Sequence, residues 1–283
     1  MGGNGCEKIE RKLKLNFLEN LKKMQLNVIK IGGNVIDNPK KLSTFLDDFS
    51  NLIGFKILVH GGGKIATKVA EKLGVETQMV EGRRVTDAAM VDVVTMVYGG
   101  LVNKQIVAKL QSKSCNAIGL TGADGKSVLA ERRPVGHIDY GFVGDIKSVN
   151  FNFIKSILDQ HVTPVFAPLT FDLNGDILNT NADTIASTLA VSLSAIYDVN
   201  LVYCFEKKGV LFDSGNENSV ILSLNKQTYK EYKEQGIINE GMIPKLDNAF
   251  MALQNGVKQV IICHAEDFKE GVEKGTVGTI IKL

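Results

Sequence analysis

No apolar run in this chain approaches the roughly 18 residues that a membrane-spanning helix needs, and its first residues lack the apolar core of a secretion signal. A cytoplasmic location with no membrane partner is the expectation. An excess of charge of either sign is also missing: 33 Lys+Arg against 31 Asp+Glu leave a formal net of +2, so no strong field points toward nucleic acid. Cysteine is scarce. Cys6, Cys115, Cys204 and Cys263 lie far apart and none belongs to a Cys-x-x-Cys or Cys/His cluster, which argues against a disulfide framework and a thiolate metal site. Cys263-His264 follows Val260-Ile-Ile262 and reads as a strand end, so no metal ligands are expected. Two nucleotide-binding fingerprints are absent as well. His60-Gly-Gly-Gly63 lacks the spaced glycines of a dinucleotide fold, and Ala123-Asp-Gly-Lys-Ser127 ends like a P-loop but has Leu120 where its first glycine should stand. A nucleotide would have to be held in some other way.

What is present is a chain of 283 residues, 44% of them hydrophobic, long enough to bury one substantial core or two fused lobes. Residues 1–23 stand apart: a Gly-rich start is followed by Ile9, Leu13, Phe17, Leu18 and Leu21 recurring at three and four among charges, the pattern of a helix with one apolar stripe. That stretch reads as an oligomerisation arm or as an extension ahead of Met24. From Gln25 onward, strands expected at 26–31, 55–59, 115–119, 162–167, 199–204, 258–262 and 277–282 alternate with helices at 39–51, 64–73, 87–113, 182–194, 226–235 and 241–254. Such alternation predicts βαβ units on a largely parallel sheet, with hairpin-like material near 128–145.

Chemistry concentrates in a few motifs. Asn27-Val-Ile-Lys-Ile-Gly-Gly-Asn34 and Phe55-Lys-Ile-Leu-Val-His-Gly-Gly-Gly-Lys64 are β-branched runs that end in consecutive glycines, placing bare backbone N–H groups at a strand mouth. Each run permits a tight turn; paired, with Lys30 and Lys64 close by, they suit a phosphate. Lys30 in an apolar strand is costly unless it meets an anion or sits on an edge strand facing solvent. Lys245, at the front of a helix, is a second cation, although its pattern alone favours a plain surface residue. Arg84 offers a planar fork to a substrate carboxylate or to an ordinary salt bridge, while Thr86 or Asp87 can cap the next helix. Asn179, Asn181 and Asp183 can cap a helix and also face a site, with Asp183 placed to hold lysines or to assist a Mg²⁺ carried in with a nucleotide.

Five motifs in order resemble those of the N-acetylglutamate kinases in the amino acid kinase family: Lys30-Ile-Gly-Gly-Asn34, His60-Gly-Gly-Gly63, Gly82-Arg-Arg-Val-Thr-Asp87, Asn179-Thr-Asn-Ala-Asp183 and Gly241-Met-Ile-Pro-Lys245. Gly141-Phe-Val-Gly-Asp145 with Val149-Asn150 adds a sixth, and the match spans roughly residues 26–283. The resemblance implies an α/β three-layer sandwich around a mainly parallel sheet of about eight strands. It implies a single domain over 24–283, with an acyl-amino-acid lobe at about 24–175 and a nucleotide lobe at about 176–283. The implied reaction moves the γ-phosphate of ATP, with Mg²⁺, onto the γ-carboxylate of N-acetylglutamate in arginine biosynthesis. Lys30 and Lys245 would steady the migrating group and Asp183 would organise them. Gly61, Gly62, Arg84 and Asn179 would hold the substrate, with His60 able to touch it, while Gly32, Gly33, Gly62, Glu206 and Gly209 would hold the nucleotide.

Departures from the family pattern are visible. Phe205-Glu-Lys-Lys-Gly209 replaces the usual Thr/Ser-Asp-Val-x-Gly, with Glu206 as the substitute acid. Thr121-Gly-Ala-Asp-Gly-Lys126 and Arg132-Arg133 also differ and are expected to line the acyl pocket or to lie near it. These features resemble the Bacteroidetes branch, in which N-succinylglutamate can replace the acetyl compound. Other family activities, glutamate 5-kinase or carbamate kinase, and a non-catalytic metabolite-binding relative are the alternatives. An uninhibited homodimer is expected, with a hexamer joined through the N-terminal segment as the other assembly.

Overall fold

The computed structural model describes residues 23–80, 82–238 and 242–283. The apolar stripe expected over 7–23 therefore falls outside the described residues, apart from Lys23. The elements run β1 (Gln25–Ile31), α1 (Gly33–Ile36), α2 (Pro39–Asn51), β2 (Phe55–His60), α3 (Gly63–Lys72), β3 (Met79–Val80), β4 (Arg83–Arg84) and α4 (Ala88–Val94). A π-helix (Thr95–Val102) then leads into α5 (Asn103–Gln111), β5 (Ala117–Leu120), β6 (Val128–Arg132), β7 (Gly144–Val149), α6 (Phe151–Asp159), β8 (Thr163–Phe166), β9 (Leu169–Phe171) and β10 (Ile177–Asn179). The chain continues through α7 (Ala182–Leu193), β11 (Asp198–Phe205), β12 (Ser223–Leu224), α8 (Lys226–Glu234), α9 (Ile243–Gln254), β13 (Gln259–His264), α10 (Phe268–Glu273) and β14 (Thr279–Ile281).

Local chemistry explains the element starts that matter for the site. Asn38 accepts from the backbone N–H groups of Lys40 and Lys41, and Pro39 follows with its φ already suited to the first turn of α2. Asp87 caps α4 by accepting from Met90 N, and Asn181 caps α7 by accepting from Asp183 N and Thr184 N. The segment expected as one helix over 87–113 is continuous but not uniform. Its middle widens into the π-helix, where Gly99 and Gly100 leave the backbone unsupported by side chains.

An eight-stranded sheet has the order β12-β14-β13-β11-β1-β2-β8-β5, and every pairing from β13 across to β5 is parallel. β14 runs antiparallel to β13. Side chains alternate between the faces of β1: Leu26 and Val28 join a core with α6, α7 and α9, whereas Ile29 and Ile31 join the opposite core with α2, α3 and α5. Three layers result, as the resemblance implies. The hairpin-like stretch is part of a second sheet, β10-β9-β6-β7, in which Val143 also bridges to Asn179. Long-range pairing of β6 with β9 closes it. The chain leaves β1 toward β2 on one side and reaches β11 on the other, so the order reverses at β1, where open α/β sheets bind ligands.

Candidate active site

Lys30 belongs to the Leu26/Val28 face of β1 and points toward the first turn of α7, because side chains two residues apart share a face. β1 is paired on both sides, by β11 and β2, so Lys30 is not on an edge strand. It is 9% exposed, and its Nζ lies 2.8 Å from Asp183 Oδ1. That oxygen makes no hydrogen bond besides this ion pair. Lys245 enters from the first turn of α9, and its Nζ stands 3.9 Å from the centroid of the Phe205 ring, over which Lys30 Nζ also lies at 5.3 Å. Two ammonium groups thus gather at one aromatic ring, with Asp183 beside them. Burial lowers the Lys245 pKa; Asp183 raises it in opposition and Lys30 lowers it further. The surface placement that pattern alone favours for Lys245 does not hold.

The glycine loops meet next to these cations. A Cβ added to Gly32 would lie 4.0 Å from Lys30 Nζ, and one added to Gly61 would lie 3.8 Å from Gly33 N. Gly62 adopts φ +151, a conformation that favours glycine, and opens α3 without any side-chain cap, so the first N–H groups of that helix are left for a ligand. His60, which closes β2, is fully buried and does not line the cavity. Its Nδ1–H donates to Gly61 O at 2.7 Å, which leaves Nε2 to accept from Asn103 Nδ2 at 3.1 Å. Burial pushes its pKa down to about 4, so the ring is a neutral brace for the loop.

A cavity of about 730 Å³ opens in front of this edge, walled by Gly61–Gly63, Arg84, Asn179, Asp183 and Lys245. Arg84 is 8% exposed. Its guanidinium donates to Gly63 O at 2.9 Å, Thr67 Oγ1 at 2.8 Å and Thr77 Oγ1 at 3.3 Å. Among the described residues no carboxylate pairs with it, so the ordinary salt bridge is not its partner and a buried cation is answered only by neutral acceptors. Asn179 Nδ2 donates to Thr86 Oγ1 at 3.0 Å, and Thr86 in turn donates to Arg84 O, which ties the second sheet to the arginine strand.

Arg133 and Asp145 form an ion pair of 2.5 Å on the far wall, and Arg133 Nη1 is buried without a partner. None of Thr121–Lys126 lines this cavity. Gly32, Gly33, Lys30, Glu206 and Gly209 lie outside its wall as well. Glu206 is exposed just after β11. Gly209 borders a small apolar recess of about 70 Å³ with Leu211, Ile237 and Ile238. Sequence reasoning overlooked Phe205 as a platform, since the residue registers there only as a departure from a family pattern, and overlooked Tyr98 in the wall.

Comparison with known proteins decides the family. The model of the amino acid kinase family matches residues 25–264. The chain belongs to the amino acid kinase family. It is 59% identical over 257 residues to the acetylglutamate kinase of Cytophaga hutchinsonii, covering 90% of this chain and 97% of that protein. The acetylglutamate kinase of Phocaeicola vulgatus is 53% identical over 260 residues, with 92% and 99% covered. A solved structure from Streptococcus mutans matches with a TM-score of 0.70 at 28% identity over 91% of this chain and 98% of that one. Carbamate kinase from Giardia lamblia bound to AMP-PNP reaches a TM-score of 0.67 at 14% identity over 93% and 99%, a likeness of fold alone. The family match and the kinase relatives support a phosphotransferase, and Lys30 and Lys245 gather around Phe205 at the carboxyl end of β1. Among the described residues no helix is long and apolar enough to cross a membrane, and no group of three His, Cys, Asp or Glu side chains is set to hold a metal ion.

Proposed function

We propose that the protein transfers the γ-phosphate of ATP to the γ-carboxylate of N-acetyl-L-glutamate, giving the acyl phosphate and ADP in arginine biosynthesis. The observation that carries this reading is a cavity that holds a buried guanidinium without a carboxylate, the second glycine loop, Lys245 and Asp183, with Lys30 joined to it through its ion pair with Asp183. Arg84 and Asn179 receive the α-carboxylate, with Gly61 and Gly62 flanking the side chain. A γ-carboxylate oxygen then attacks the γ-phosphorus, and the bond to the β-phosphate bridging oxygen breaks as ADP leaves. The attacking carboxylate is already ionised at neutral pH, so no general base is needed, consistent with a His60 that is neutral and sealed away. Lys30 and Lys245 neutralise charge on the transferred oxygens while Asp183 keeps the two ammonium groups in register, which is where such reactions gain most of their rate.

In this reading residues of about 24–175 chiefly hold the acceptor and those of about 176–283 chiefly hold the nucleotide, with Asn179 reaching to the acceptor and Gly32, Gly33 and Gly62 reaching to the phosphates. Backbone N–H groups of Gly32, Gly33 and Gly62 serve the phosphates. The turn with Glu206 and Gly209, beside the apolar recess, serves the nucleoside. Asp145 and Asp183, the described carboxylates of the cavity wall, each face a cation. A Mg²⁺ would therefore be held chiefly by phosphate oxygens of the nucleotide, supplying further charge neutralisation. Exposed Met96, Leu101 and Ile118, along the π-helix and edge strand β5, support pairing of two copies into a homodimer. Free thiols at Cys115, Cys204 and Cys263, with ATP as donor, fit a cytoplasmic setting.

Arg133 favours a second reading of the acceptor. Its partnerless Nη1 on the far wall suits an acyl group that ends in a carboxylate, as in N-succinylglutamate. Incubation with Mg-ATP and each N-acylglutamate, with hydroxylamine to trap the acyl phosphate, tests both. Hydroxamate from the acetyl substrate is expected under the first reading and a clear succinyl preference under the second. Absence of hydroxamate from either would overturn the assignment.

A further inference from the structure

Tyr98 is 5% exposed and lines the cavity, yet the chemistry described so far leaves it without a task. It projects from the π-helix, a widened turn of the kind that often marks functional sites. Its ring lies directly on the second glycine loop: a Cβ at Gly62 would come within 3.0 Å of Cδ1 and 3.2 Å of Cε1, so the bare backbone there makes room for it. Its hydroxyl oxygen accepts a hydrogen bond from the Arg84 guanidinium. Burial raises the Tyr98 pKa, so the group keeps its proton. Arg84 has no lone pair to offer, and no described residue accepts the Tyr98 O–H. The Tyr98 O–H and the Arg84 guanidinium, both donors, therefore stand side by side on the cavity wall with no protein anion between them. A carboxylate in the cavity offers two acceptor oxygens, one for each donor.

We propose that Tyr98 is a substrate-contacting residue whose hydroxyl donates to the same carboxylate that Arg84 receives. The proposal rests on the reading of Arg84 as the carboxylate site. It makes Tyr98 a selector for a carboxylate over a neutral amide or ester at that position, since the carboxylate gives each donor a charged oxygen of its own.

Steady-state kinetics of Tyr98→Phe and Arg84→Ala in the full chain, with the N-acylglutamate and MgATP varied separately, test it. Tyr98→Phe keeps the ring against Gly62 and removes only the hydroxyl. It should raise KM for the N-acylglutamate about tenfold while kcat and KM for MgATP stay within about twofold, the signature of a lost binding contact. An unchanged KM, or a joint fall of every kinetic constant together with a lower Tm, would overturn the proposal. If Arg84→Ala weakens the N-acylglutamate and Tyr98→Phe does not, Tyr98 fails and the carboxylate site stands. If neither variant moves that KM, both fall.

Discussion

Lys30 and Lys56 occupy neighbouring strands of one sheet, Lys30 between the fully buried Ile29 and Ile31 and Lys56 between the half-buried Phe55 and the fully buried Ile57, and each carries an ammonium group into the interior. Their surroundings are opposite. Lys30 stands at the carboxyl end of β1, where glycine loops, the start of α7 and a second lysine gather, and its partner is Asp183 at 2.8 Å. Lys56 stands at the amino end of β2, where its Nζ donates to Ser50 O and Leu52 O, each at 2.8 Å, and so closes the last turn of α2. A helix end offers carbonyl oxygens, which a cation satisfies completely; a helix start offers N–H groups, which add to the positive charge already present. A cavity of about 650 Å³ opens beside Lys56 too, so neither cavity size nor a buried lysine separates the two ends. Surplus positive charge does.

The largest effects should fall on that contrast. Lys30→Met is expected to lower kcat about 100- to 1000-fold with KM for the N-acylglutamate little changed, the scale seen when one transition-state donor is removed. Lys56→Met should leave kcat within about twofold and cost about 1–3 kcal/mol of stability in chemical denaturation, because it strands the buried carbonyl of Leu52 and the part-buried one of Ser50. Similar kinetic losses in both would erase the distinction between the ends.

A smaller effect sharpens the comparison within β2 itself, which begins near Lys56 and ends at His60. The folded pKa of His60 is about 4, below the ordinary 6.5, because burial disfavours the cation. Between those two values the unfolded chain binds more protons than the folded one, so this contribution to stability is full above pH 6.5 and is lost as pH falls toward 4, amounting to about 3 kcal/mol. Unfolding free energies between pH 7.5 and 4.5 should show the loss in the native chain and a much flatter profile in His60→Gln. An equal slope in both would remove His60 from the account.

Much of the sheet is legible in the sequence because its strands are short, β-branched and punctuated by glycine. α2 is legible because Asn38-Pro39 opens it and Leu42, Phe45, Leu46 and Phe49 keep a helical period on one buried face. The second sheet is not legible as a sheet: β6 meets β9 only through long-range pairing, and strands as short as β9 and β10 carry little periodicity. α6 escapes notice although Asn150 caps it, since Phe151-Asn-Phe153 reads as well in a hairpin. Within the candidate site, a lysine in an apolar strand announces a need for an acceptor without naming it, which is why Lys30 stands out and Lys56, equally buried, was not distinguished in kind. Phe205 gains a role only when the register of β11 against β1 brings its ring under two ammonium groups. Tyr98 depends on a π-helix that no local pattern announces.

The central claim is that the charge surplus at the end of β1 surrounds the phosphoryl group in flight. A crystal structure of the full chain with MgADP, an aluminium fluoride mimic of that group and an N-acylglutamate tests it most directly. Lys30 Nζ and Lys245 Nζ should each lie within about 3.2 Å of the fluoride ligands, the reach of a hydrogen bond. A mimic bound with both ammonium groups more than about 6 Å away, beyond the range of a direct ion pair, would contradict it.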